Sequence, residues 1–118
     1  MIVRKLIKNA LKMIGINEPT PEHYDDAFEH LNQVLSNFTP WDDSDTPIDE
    51  FASLGTEIPL PPYYIAALEF ELAQREGPSY HISPVEIAGF KAAAKQIKDD
   101  FMYRQQMLGQ MAPTTFVV

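Results

Sequence analysis

Two alanine-rich helical patterns within residues 58–98 constrain the fold of this chain more than any other feature. A Pro61-Pro62 pair precedes the first pattern, and a Gly77-Pro78 pair separates it from the second. Proline suits the first turn of a helix, and glycine followed by proline suits its end, so the sequence predicts two helices joined by a tight turn. The alanines permit close packing, and the stretch holds no motif typical of catalysis. We therefore expect a helical scaffold that presents a surface.

The first of these helices is predicted to begin at Pro61 or Pro62 and to end at Gly77-Pro78. It should bury four apolar side chains: Tyr64, Ile65, Leu68 and Leu72.

The second of these helices begins with a capping box. Ser83 is placed as the N-cap, Pro84 as the first helical residue and Glu86 as its reciprocal partner, while Ile82 is placed to pack on Ile87. Apolar residues then recur at spacings of three and four, in a heptad-like seam that Arg104 interrupts. A helix of this length reaches roughly 37 Å, so we expect it to extend beyond its own bundle. The seam residues are Ile87, Phe90, Ala94, Ile97, Phe101 and Leu108.

Two further helices are predicted near the amino terminus. The first spans Val3 to Ile14 and stops at Gly15, and the second begins with Thr20 as cap and runs to about Asn37. Their apolar stripes are Val3, Leu6, Ile7, Ala10, Leu11 and Ile14, and Tyr24, Ala27, Phe28, Leu31, Val34, Leu35 and Phe38. A chain of 118 residues supports one core. The sequence thus predicts an all-α fold, a four-helix bundle over residues 1–108.

A long acidic loop is predicted between the second and third helices, at residues 39–62, where helical periodicity is lost. Loops of this length in compact domains are usually functional or disordered. Trp41, Ile48, Phe51 and Leu54 are candidates to pin it to the bundle or to a partner. The residues proposed to face a channel or partner are Trp41, Asp42, Asp43, Asp45, Asp49 and Glu50.

The charge of the chain is segregated along the sequence. The first basic residues are Arg4, Lys5, Lys8 and Lys12, after which no Lys or Arg occurs until Arg75, and the net charge is −8. This balance argues against binding of duplex DNA, which depends on basic side chains that neutralise phosphates. Simple solvation of an acidic surface is the alternative interpretation. The absence of cysteine excludes disulfides, and no apolar run is long enough to span a bilayer.

No constellation in the sequence satisfies the requirements of catalysis or metal binding. Counting an EF-hand from Asp43 places Ile48 and Leu54 where glycine and glutamate are needed. His23 and His30 are separated by about 10 Å along one helix, too far to chelate one metal ion. We expect no catalytic residues, no metal site, no cofactor and no enzymatic activity.

The last residues, 109–118, are uncharged and end in apolar side chains. They are too short to form a core, so we expect an extended carboxyl-terminal arm that becomes ordered on a partner. A loose terminus, or a segment folded back on the bundle, is the alternative.

Four segments resemble the head-to-tail adaptor family of short-tailed bacteriophages, also called tail accessory factors or packaged-DNA-stabilisation proteins. They are ALKMIGI at residues 10–16, DDAFEHLNQVLSNF at 25–38 followed by Trp41, PLPPYYIAALEFELA at 59–73, and ISPVEIAGFKAAAKQIK at 82–98. The third segment departs from the family pattern, which usually has a tyrosine followed by asparagine-leucine-alanine. Here Phe70 and Glu71 precede Leu72 and Ala73.

The resemblance implies a structural virion protein at the head-tail junction, assembled in the host cytoplasm as a ring on a dodecameric portal. Its partners would be the portal protein, neighbouring adaptor subunits and distal tail components, and DNA would pass without specific binding; no membrane is involved. The basic residues Arg4, Lys5, Lys8 and Lys12 would contact the adjacent subunit. The portal-binding arm would be Pro113, Thr114, Thr115, Phe116, Val117 and Val118.

Two alternative functions remain open at the level of sequence. A tail-vertex cell-wall hydrolase would use carboxylates such as Glu22, Asp26 and Glu29. A small helical regulator would dimerise through the seam of the last helix.

Overall fold

The computed structural model describes residues 1–36 and 49–116, the side chains of residue 105 and of 109–116 excepted. In these ranges the backbone forms four α-helices and one short 3₁₀-helix, and its single β contact is an isolated bridge between Ile2 and Glu57. The all-α prediction is confirmed. The helices are α1 (Val3–Met13), α2 (Pro21–Ser36), α3 (Pro62–Glu76) and α4 (Pro84–Phe116), with the 3₁₀-helix at Gly77–Tyr80.

Helix α3 lies at the centre of the fold, because it packs against α1, α2 and α4. Its Leu68 and Leu72 are fully buried in one cluster with apolar residues of α1 and α2. The four α3 side chains predicted to be buried are all buried. Helix α4 packs mainly on α3, so the principal core is built by the first three helices.

Helices α3 and α4 run antiparallel. The rings of Phe70 and Phe90 lie 6.5 Å apart near one end of the pair, and those of Tyr63 and Phe101 lie 4.6 Å apart at the other. Ala94 is buried between these two contacts. The seam predicted from spacing is therefore the α3-facing side of α4 as far as Phe101.

Side-chain caps define the starts of α2 and α4. The Thr20 hydroxyl accepts a hydrogen bond from the His23 amide at 3.3 Å, while His23 Nδ1 accepts one from the Thr20 amide at 3.0 Å. The Ser83 hydroxyl accepts from the Glu86 amide at 3.3 Å, which is one of the two hydrogen bonds of the predicted capping box. Gly77, in the 3₁₀-helix before α4, allows Ile87 to pack close to its backbone, because a Cβ added at Gly77 would lie 3.2 Å from Ile87 Cγ1.

The segment that enters α3 covers the amino-terminal end of α1. The amides of Val3 and Arg4 donate to the carbonyls of Thr56 and Leu54 at 3.0 and 2.9 Å, which satisfies donors that a helix start leaves unpaired. Asn32 of α2 holds Phe51 through both amide atoms, at 2.9 and 3.2 Å. Phe51 is buried and Leu54 packs on the core, so these two residues attach the described segment before α3 to the helices, as predicted.

The prediction that the carboxyl-terminal residues form an extended arm is wrong for residues 109–116. The backbone there continues α4 as far as Phe116, so these residues are helical. A single glycine such as Gly109 costs a helix about 1 kcal/mol relative to alanine, and its leucine, methionine and glutamine neighbours are good helix formers. The helix therefore crosses the predicted boundary between residues 108 and 109. A separate role for 109–118 stays a prediction.

The molecule is elongated along α4. Its radius of gyration is 16.4 Å and its extents are 60 × 33 × 21 Å, whereas a compact domain of this length has a radius near 13 Å by the usual scaling.

Candidate interaction surfaces

The part of α4 beyond Phe101, residues 102–116, projects past the first turn of α3, and we call it the overhang. Helices α3 and α4 are antiparallel, and Tyr63 in the first turn of α3 contacts Phe101. The part of α4 beyond Phe101 therefore extends past the start of α3. At about 1.5 Å per residue the overhang is roughly 22 Å long. It accounts for the elongation of the molecule.

The described side chains of the overhang are apolar on several sides of the helix. Tyr103 and Leu108 are 63% and 61% exposed, and Met102 and Met107 are exposed as well. At 100° per residue, Met102, Tyr103 and Leu108 point in three different directions. Arg104 and Gln106 are exposed between these apolar side chains, so the overhang presents a mixed surface whose apolar positions suit a partner on more than one side.

An aromatic cluster anchors the base of the overhang. Phe101 contacts the rings of both Tyr63 and Tyr64, at 4.6 and 5.9 Å between centroids, and Leu60 and Ile97 pack around it. Tyr64 and Phe101 are buried. The overhang therefore starts from a fixed point on the first turn of α3.

The exposed side of α1 carries the predicted inter-subunit residues Arg4, Lys5, Lys8 and Lys12, which we call the basic face. Two of them have partners within the chain: Arg4 lies over the Tyr24 ring at 4.9 Å, and the charge of Lys5 acts on Glu69 of α3. Lys8 and Lys12 are exposed, and no described residue forms an ion pair with either. These two lysines lie outside the buried stripe of α1.

The exposed side of α2 is acidic. Glu22, Asp25, Asp26 and Glu29 lie at spacings of three and four and are all exposed; we call them the acidic face. Although α1 and α2 pack together, the ion pairs of the described residues include none between the basic and acidic faces. Sequence reasoning identified the basic cluster as an interaction surface, but it considered Glu22, Asp26 and Glu29 as hydrolase candidates and not as part of such a surface.

A buried polar contact joins α2 to the end of α3. The Glu76 carboxylate is only 2% exposed and binds His30 Nδ1. Tyr80 lies next to this pair, and its pKa is raised by burial and by the negative charges of Glu76 and Asp26. His23 packs edge-on against the Tyr80 ring at 5.7 Å. The geometry is that of a structural tie between helices, since Glu76 is enclosed and already paired.

Two carboxyl groups of α3 are half-buried on its flanks. Burial raises the pKa of Glu69, against the opposing effects of a hydrogen bond from Asn9 and the charge of Lys5. Burial also raises the pKa of Glu71, partly opposed by Lys91 and Lys98 of α4. Both groups lie between helices, so the α3 contacts combine an apolar centre with charged edges.

The remaining predicted site residues divide between described and undescribed parts of the chain. Of the residues in the predicted acidic loop, Asp49 and Glu50 are exposed, and Trp41, Asp42, Asp43 and Asp45 lie outside the described residues. In the predicted arm, Pro113, Thr114, Thr115 and Phe116 belong to the helical backbone of α4, while Val117 and Val118 lie outside the described residues.

The carboxylates considered for a hydrolase, Glu22, Asp26 and Glu29, are exposed on α2. In the described ranges, no three His, Asp or Glu side chains are grouped so as to hold a metal ion. No described helix combines the length and apolar character that a bilayer crossing needs. Comparisons of the chain with protein-family models, with curated proteins and with solved structures give no match.

Proposed function

We propose that this chain is a head-to-tail adaptor of a short-tailed bacteriophage. In this role it is a structural virion protein that assembles as a ring beneath the portal, extends the DNA channel and carries tail components. The observation that supports the proposal most is the overhang, whose Tyr103 and Leu108 are left exposed by the described residues of the chain. An apolar helical tip on a rigid base is suited to insertion between other protein surfaces.

The overhang and the residues that follow it form the portal attachment in this proposal. Portal binding covers the apolar tip of α4, and Pro113, Thr114, Thr115, Phe116, Val117 and Val118 lie in the attached segment. The arm becomes a helical extension of the domain. In the assembled ring, neighbouring subunits cover the side of α4 that faces away from α3, and the four helices of each subunit form one bundle.

The acidic loop is proposed to line the channel. Its carboxylates, from Asp42 to Glu50, repel DNA phosphates, so that the genome slides past without being held. This role agrees with the net charge of −8.

Attachment can be tested by mixing the purified chain with its cognate portal rings and measuring co-sedimentation. One variant lacks residues 112–118, and a second carries Tyr103→Ser and Leu108→Ser in the overhang. We expect both to lose attachment while their circular dichroism remains that of a folded helical protein. Val85→Ser is the matched control, since Val85 is 81% exposed at the opposite end of α4.

The possible results separate the parts of the proposal. A deletion variant that still attaches contradicts the arm, and a wild-type chain that does not attach contradicts the adaptor function itself. Imaging of assembled particles by electron microscopy tests the channel, because a loop that points outward from the ring contradicts it.

A dimeric helical regulator is the second candidate, and the same overhang favours it. Two copies that cover each other's apolar tips would remove Tyr103 and Leu108 from water without any portal. Light scattering distinguishes the candidates: the regulator predicts a concentration-dependent dimer that Tyr103→Ser and Leu108→Ser abolish, and the adaptor predicts attachment to the portal.

A further inference from the structure

We infer that the chain binds further copies of itself head to tail, with the basic face of one copy seated on the acidic face of the next. This inference rests on the proposed ring and names the surfaces that form its subunit contact. It starts from the two faces described above, which belong to different helices and point away from the core.

The two faces match in charge and in spacing. Lys8 and Lys12 are four residues apart on α1, as are Asp25 and Glu29 on α2. Residues four apart on a helix are separated by about 6 Å along its axis and share a side, so two lysines meet two carboxylates in register.

The charges of the two faces are available to a neighbouring copy. Arg4 and Lys5 already contact Tyr24 and act on Glu69, whereas Lys8 and Lys12 have no ion-pair partner among the described residues. Nor do Asp25 and Glu29 form an ion pair with any described residue.

The position of the faces determines the type of assembly. Two complementary patches can pair reciprocally in a two-fold dimer or one to one from head to tail; the proposed ring requires the heterologous arrangement, in which each bound copy presents an unused face to the next one. Contacts of this type close into rings or continue as filaments. Exposed ion pairs are individually weak and are screened by salt, so the faces chiefly select the partner and its orientation.

The test uses two variants with reversed faces. The basic-face variant carries Lys8→Glu and Lys12→Glu, and the acidic-face variant carries Asp25→Lys and Glu29→Lys. Sedimentation velocity at low ionic strength measures the mass of each variant, of wild type and of their mixtures. A control with Lys91→Glu and Lys95→Glu makes the same charge change on α4.

We expect wild type and the control to form oligomers larger than dimers, with affinity falling about tenfold or more as salt is raised, since exposed charges are screened. Each reversed variant alone should be monomeric. An equimolar mixture of the two should assemble beyond a dimer with the variants alternating, because each of them carries two faces that are complementary in charge to those of the other. A chain that carries all four substitutions should assemble again, with its faces exchanged.

Three results would overturn the inference: a wild-type chain that stays monomeric, a reversed variant that oligomerises like wild type, or a mixture that remains monomeric. Circular dichroism of each variant establishes that it is folded. Portal co-sedimentation is measured in parallel and reports on the overhang alone. A wild-type chain that attaches to the portal but does not self-associate therefore contradicts only the subunit contact, and a wild-type chain that self-associates but does not attach contradicts only the adaptor function.

Discussion

His30 of α2 and Glu76 at the last turn of α3 form a contact that closes the core at one end. Glu76 is nearly inaccessible to water, whereas the His30 side chain is partly exposed. A buried carboxylate without its partner would lose hydration without compensation, so the imidazole is required for the carboxylate to be buried there.

The first prediction concerns this contact. His30→Ala should lower the free energy of unfolding by about 1–3 kcal/mol, because it leaves a buried acceptor unsatisfied. Urea denaturation monitored by circular dichroism measures the change. His30→Gln keeps a donor at this position and should recover part of the loss. Equal stability of wild type and His30→Ala would show that Glu76 finds another partner.

The second prediction concerns the centre of the core. Leu68→Ala should destabilise the fold by about 2–5 kcal/mol, since it opens a cavity between three helices. Val85→Ala removes a similar aliphatic side chain from an exposed position and should change stability little. Thermal unfolding of both variants provides the comparison, and equal melting temperatures would contradict the central position of α3.

The third prediction concerns the start of α4. Ser83→Ala removes the oxygen that accepts from the Glu86 amide and should cost about 1 kcal/mol. Ser79→Ala is the matched control, because Ser79 is exposed in the 3₁₀-helix that precedes α4. Hydrogen exchange should become faster at the first amides of α4 only in Ser83→Ala. Unchanged exchange at those amides would argue against the cap.

The fourth prediction is a pH dependence at the α3–α4 contact. Burial raises the pKa of Glu71 above its ordinary value of 4.5, so the folded chain retains a proton that the unfolded chain has released. A rise in pH from that value to the raised pKa therefore favours unfolding, by proton linkage. Glu71→Gln removes this titration.

The stability of Glu71→Gln relative to wild type should thus increase as pH rises through this window, and then stay constant at higher pH. Urea denaturation at a series of pH values measures it. Glu50→Gln, at an exposed carboxylate, should show no such trend. A relative stability of Glu71→Gln that falls with pH would contradict the sign.

The helices were predictable because their signals are local. Ser83, Pro84 and Glu86 mark the start of α4 within four residues, and the apolar stripes of α1 and α2 follow the helical period. The contact of His30 with Glu76 was not predictable in this way, since these residues are 46 apart and no short pattern relates them. The clamp of Asn32 on Phe51 was missed for the same reason.

The interaction surfaces were predictable only in part. The basic cluster of α1 is visible as a run of charges, but its outward direction at Lys8 and Lys12 follows from how α1 packs on α2 and α3. The end of α4 was predicted wrongly because the uncharged composition of residues 109–118 was taken to indicate an extended arm, although one glycine such as Gly109 is only a weak break in a helix. That the apolar residues after Phe101 lie beyond α3 depends on tertiary packing alone.

The length of α4 makes it a lever. A continuous helix from Pro84 to Phe116 is about 50 Å long, and its contact with α3 ends at Phe101. A tilt of a few degrees at the Tyr63–Phe101 contact is therefore magnified into a displacement of the distal tip. A partner bound to that tip is displaced by small rearrangements in the first three helices, and its own movement is transmitted back to them.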